Sequence, residues 1–150
     1  ISEVGLPRRE FFIWFDDWEF ALRSVARGIA VLGIRDAVIS HSYGKFKEVQ
    51  FLNLRRKRVD QAPWKLYYGT RNWGWTVLRA AYARPRLHNI KAFLVELFKE
   101  SVGDIIFEDQ KSLRLKMRWL GVWHALWGRL GRVVDPKGDP KVKGPTGEGQ

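Results

Sequence analysis

Large side chains return at helical intervals over most of the second half of this chain, and that periodicity confines it to a helix-rich fold. Trp64, Tyr67, Tyr68, Arg71, Trp75, Leu78 and Tyr82 recur along one face between Pro63, a favourable first helical residue after Asp60, and the stop before Pro85. Ile90, Phe93, Leu94, Leu97 and Phe98 repeat an i, i+3, i+4, i+7, i+8 spacing from a start near His88 and Asn89, with Lys91, Glu96, Lys99 and Glu100 opposite. From about Lys111, a third stripe holds Trp119, Leu120, Trp123, Leu126, Trp127 and Leu130, set among Arg114, Lys116, Arg118, Arg129 and Arg132. Three amphipathic helices are therefore expected.

The first third is patterned differently. The dense run Phe11-Phe12-Ile13-Trp14-Phe15 is closed by Asp16-Asp17, and Trp18 to Arg27 reads as a helix with Gly28 as its left-handed stop. Branched residues in Ile29 to Ile34 and Asp36 to His41 predict two short extended segments around a Gly33 to Asp36 turn, leaving His41 at a strand end. Tyr43 to Val59 reads as a basic, weakly patterned connector. Asp135 to Gln150 holds three prolines, four glycines and no aromatic residue, too little to offset the entropy of ordering, so it is expected to be unstructured. The chain thus divides into 1–43, a mixed α/β part; 44–134, connector and amphipathic helices; and 135–150, a tail. By residue count it is mostly α.

A net charge of +11 and a pI near 10.3 imply an anionic partner: nucleic acid, a phospholipid surface or a phosphorylated small molecule. Between Gly44 and Lys91 twelve Lys and Arg stand against two acids, Glu48 and Asp60. Within that stretch Arg55, Arg56, Lys57 and Arg58 are the candidates to face an anionic membrane. No uninterrupted apolar run approaches the roughly 20 residues of a spanning helix, and the N-terminus lacks a charged-then-apolar leader pattern, so any membrane contact would be peripheral. With no cysteine there is neither a disulfide framework nor a thiolate metal site, and a metal would be held by oxygen or imidazole. The start at Ile1, without methionine, leads to the expectation of a piece of a longer protein.

Chemistry is concentrated in Asp16-Asp17-Trp18-Glu19, three carboxylates within four residues at a helix start. One reading is structural: an aspartate caps the helix and Glu19 supports its first turn. The other is functional: a carboxylate desolvated by aromatic neighbours acts as general base toward an acceptor hydroxyl. His41 likewise reads either as a structural histidine or as a ligand for Mn²⁺ or Mg²⁺ beside carboxylates supplied from elsewhere.

Phe-Ile-Trp-Phe-Asp-Asp-Trp-Glu-Phe-Ala-Leu-Arg, then Gly28, then Asp36-Ala37-Val38-Ile39-Ser40-His41, resembles the acceptor-side motif of family 2 glycosyltransferases, most closely the galactofuranosyl- and rhamnosyltransferase-like branch. Ala62-Pro63-Trp64-Lys65-Leu66-Tyr67-Tyr68 with Arg71-Asn72, and Gly121 through Gly131, resemble that branch's C-terminal helical region; the likeness runs from about Glu10 to Asp135. It implies that 1–43 is the C-terminal part of a GT-A nucleotide-diphospho-sugar transferase domain. It implies further that Asp17 is the catalytic base, that Asp16 and Glu19 bind acceptor hydroxyls, and that His41 completes a divalent metal site. The partners implied are a nucleotide-sugar donor and a glycan or lipid-linked glycan acceptor, and the place implied is cytoplasmic, peripheral at the inner face of the plasma membrane. The nucleotide-binding strands and Asp-x-Asp motif of that family are absent from these 150 residues, so the donor half would lie outside them. A noncatalytic basic helical module on a membrane surface or on nucleic acid is the alternative, although no familiar nucleic-acid-binding signature is present.

Overall fold

The computed structural model describes residues 3–40, 44–79 and 86–136. After a 3-10 turn at Arg9–Phe11 come α1 (Asp16–Val25), the antiparallel hairpin β1 (Lys45–Phe51) and β2 (Leu54–Asp60), and three long helices: α2 (Pro63–Arg79), α3 (Arg86–Phe107) and α4 (Lys111–Trp127). Among the described residues the expected helical majority is present, at 55%.

Each helix boundary has a local cause. Gly28 takes φ +77° after α1, and the Ile29 N–H reaches back to the Ser24 carbonyl at 3.1 Å, closing the last turn as the sequence predicts. Gly128 does the same for α4, at φ +71° with Arg129 N–H donating to the His124 carbonyl at 2.8 Å. The helix therefore ends at Trp127, short of the expected Leu130. Pro63 opens α2. Residues 80–85, which the sequence reading assigned to the end of this helix, lie outside the described part.

α2 is the centre of the molecule. Tyr67 and Tyr68 pack with Met117 of α4 and with Val134, while Val77 packs with Phe93 and Leu97 of α3. α2 and α4 approach closely because Gly121 offers no side chain: a Cβ there would stand 2.7 Å from the Tyr67 carbonyl oxygen. The segment after α4 folds back, and Tyr68 Oη donates to the Val134 carbonyl at 2.8 Å.

Two expectations are corrected. Among the described residues, 29–40 hold no strand: Leu32 and Val38 are almost fully exposed, and an extended segment without a neighbouring ladder has no partner for its backbone. The β structure lies instead in the presumed connector, with Lys47 opposite Arg58 and Val49 opposite Arg56. The hairpin's inner face is ionic. Lys47 and Arg58 both reach Glu108, the residue just after α3, at 2.7 and 2.9 Å, and Arg58 also pairs with Glu100 and Asp104 of α3. Arg114 and Arg118 of α4 join the same three acids. Arg58 is thus a half-buried tie between hairpin and helices, its guanidinium engaged by the acids, while Arg55, Arg56 and Lys57 are exposed. The tail beyond Pro136 lies outside the described residues.

Candidate active site

The stretch before α1 is strained. Phe12, Trp14 and Phe15 all adopt left-handed backbone, with φ of 66°, 67° and 65°. For bulky aromatic residues each such conformation costs on the order of 1–3 kcal/mol and persists only where the surroundings over-determine it. The constraint comes from α2. Asn72, fully buried, directs its amide nitrogen at three carbonyls, those of Phe11 (2.9 Å), Ile13 (2.8 Å) and Trp14 (2.9 Å). Arg71, also fully buried, donates to the carbonyls of Glu10 and Phe11 at 3.2 and 3.1 Å and to that of Gly131 at 2.6 Å. Its Nε donates to Asn72 Oδ1 at 2.9 Å, which fixes the orientation of the amide. The Arg71 guanidinium lies 4.9 Å from the Tyr68 ring centre and 5.3 Å from that of Tyr67. All four residues of the Tyr-Tyr-x-x-Arg-Asn motif therefore belong to one clamp on the loop that ends at Asp16.

Behind the clamp, Tyr67 Oη and His124 Nδ1 share a hydrogen bond of 2.7 Å, and Tyr67 Oη accepts from Arg71. Burial first, then the charges of Arg129 and Arg71, push the His124 imidazole down to about 4, so it is neutral at physiological pH and free to accept. Burial likewise raises the Tyr67 and Tyr68 phenols.

The clamp leaves Asp16 and Asp17 as the first residues of α1, where the helix dipole favours negative charge. Asp17 is exposed and Asp16 half-buried. Asp17 Oδ1 accepts from the Trp18 N–H at 2.7 Å. Glu19 is different. It is fully buried; Oε1 accepts from Arg23 at 3.0 Å and Arg8 at 3.2 Å, and Oε2 from Arg23 at 3.1 Å. Arg23 in turn holds the carbonyls of Val4 and Leu6. A carboxylate so enclosed fastens the N-terminal segment to α1, and the acceptor-binding role expected of Glu19 does not fit its burial.

Trp14 and Phe15 also form one wall of a cleft of about 160 Å³, completed by Leu66, Gly69, Trp73, Phe93 and Leu97, with Thr70, Glu100 and Arg118 as polar members. Phe15 and Trp73 stack with parallel rings 6.1 Å apart. Gly69 permits this wall, since a Cβ there would meet the Trp14 ring at 2.9 Å.

His41 lies outside the described residues, so its expected place as a metal ligand is not part of this geometry. Among the described residues no three His, Asp or Glu side chains come together to hold a cation. Sequence reasoning singled out Asp16, Asp17 and Glu19 as candidates but missed the Glu19–Arg23 pair, although its i, i+4 spacing was readable, and it missed His124. Comparison of the chain with protein-family models, with curated proteins and with solved structures gives no match.

Proposed function

We propose that this chain carries the acceptor side of a metal-dependent, inverting glycosyltransferase that moves a sugar from a nucleotide-sugar donor to a carbohydrate hydroxyl in cell-surface polysaccharide synthesis. One observation supports the reading above the others: two motifs of the resemblance, Asp-Asp-x-Glu and Tyr-Tyr-x-x-Arg-Asn, meet in space, the second clamping the strained loop that presents the first. Rigid support of an exposed carboxylate is what a general base requires, since its reach to the reacting proton must be fixed. A helix cap needs no such strain.

In the proposed step the acceptor oxygen attacks the anomeric carbon and its proton passes to the Asp17 carboxylate. The bond from that carbon to the diphosphate breaks, and the nucleoside diphosphate departs with the electron pair. Asp16, half-buried one residue earlier, orients the acceptor. The Mn²⁺ or Mg²⁺ that the resemblance implies would neutralise the departing diphosphate, with His41 among its holders and the remaining ligands outside these residues.

The test is transfer by the protein that joins this chain to its donor-binding half. Asp17→Asn is expected to lower turnover by at least about 10²-fold while donor binding, read by calorimetry with the nucleoside diphosphate, stays unchanged. Retained turnover in that variant removes Asp17 from the role.

A further inference from the structure

Among the described residues, the outer face of α4 has no partner. Trp119, Trp123 and Trp127 fall at i, i+4 and i+8, and they are 57%, 57% and 69% exposed. Leu126, 52% exposed, lies among them. The rings of Trp123 and Trp127 are 5.5 Å apart, so the indoles form one patch rather than scattered side chains. Met117, Gly121, His124 and Ala125, on the opposite side, are buried, as are Arg114 and Arg118. A patch of contiguous indoles held in water marks an interaction surface.

The charge around it selects the partner. α4 contains no acid; it carries Lys111, Arg114, Lys116 and Arg118, of which Arg114 and Arg118 are turned inward to the ion cluster. Lys111 and Lys116 are exposed, Lys116 one turn before Trp119, and exposed Arg132 follows the helix. Indole has an apolar body and one N–H donor, which suits the boundary between acyl chains and headgroups; lysine and arginine suit anionic phosphates just outside it. A helix of 17 residues is about 25 Å long, enough to lie along a surface, and no helix among the described residues is long and apolar enough to cross a membrane.

We infer that α4 is an interfacial helix that lays Trp119, Trp123 and Trp127 into an anionic lipid bilayer surface. This inference holds independently of the catalytic reading.

Co-sedimentation of the full chain with phosphatidylglycerol-containing vesicles tests it. Binding is expected to be at least about tenfold tighter than to pure phosphatidylcholine and to weaken as salt rises. Brominated lipid is expected to quench the tryptophan emission. The combined Trp119→Ser, Trp123→Ser, Trp127→Ser variant should keep its circular dichroism, because these side chains support no core, and lose vesicle binding about tenfold or more. Trp127→Ser alone, at the most exposed of the three, gives a smaller loss and serves if the triple variant misfolds. Absence of binding at low salt overturns the proposal, as does binding that the tryptophan substitutions leave untouched. Self-association that those substitutions abolish, without vesicle binding, assigns the face to a second copy of the chain instead.

Discussion

The side-chain amide of Asn72 lies 2.9 Å from the carbonyl oxygen of Trp14, a residue 58 positions earlier whose φ is +67°. That contact couples the middle of α2 to the residues just before Asp16. Asn72→Ala removes the donor from three buried carbonyls at once and the acceptor from Arg71. We expect a loss of about 3 kcal/mol in urea denaturation, with amide exchange in 11–18 accelerated more than in α3. Uniform acceleration across both regions would count against a specific clamp.

Glu19→Ala separates structure from chemistry. If the carboxylate serves Arg23 and Arg8, its removal leaves a buried guanidinium uncompensated and costs about 3–5 kcal/mol. Arg23→Ala should then cost a comparable amount, and the double variant less than the sum. Additive losses would show that the two side chains act separately and would return Glu19 to consideration as a ligand for acceptor hydroxyls.

The helices were legible from apolar periodicity, and Gly28 and Pro63 lie where α1 ends and α2 begins; Gly128, which ends α4, stands inside an apolar stripe that runs on to Leu130 and so gave no visible stop. The hairpin was not, because its inward face is Lys47 and Arg58 rather than alternating apolar residues, and its turn at Leu52 has no glycine although φ there is +52°. The partner signal existed elsewhere: Glu100 and Asp104 of α3 and Glu108 just after it form an acidic stripe at i, i+4 and i+8, facing Arg114 and Arg118 at a four-residue spacing on α4. At the site, residue type and position pointed to Asp16 and Asp17, but what supports them depends on a contact spanning 58 residues that no local pattern encodes.

Gly121→Ala probes the packing of α2 on α4. The added methyl gains roughly 1 kcal/mol of helix propensity. It also stands 2.7 Å from the Tyr67 carbonyl and 3.1 Å from the Arg71 nitrogen, backbone that cannot swing aside. Overpacking prevails, and a net destabilisation of about 1–2 kcal/mol is expected in thermal or urea unfolding. A stabilised variant would mean that the two helices are not in close contact along this face.

His124 gives the fold a pH dependence whose sign is fixed by its environment. In the folded chain burial and two arginines hold the imidazole at about 4, against an ordinary 6.5 in the unfolded chain. Between those values the unfolded state binds the proton and the folded state does not, so stability falls as pH falls from about 6.5 to about 4, with a slope from this residue of up to about 1.4 kcal/mol per pH unit. Above 6.5 its contribution is constant. Protonation would also make both imidazole nitrogens donors, which bears on the hydrogen bond shared with Tyr67 Oη, and Tyr67 is in contact with Arg71 of the clamp. His124→Gln keeps an acceptor without a titratable group. Urea midpoints measured from pH 7 to pH 4 should therefore fall less steeply in His124→Gln than in the parent chain, and identical slopes would show that His124 is already charged or solvated in the folded state.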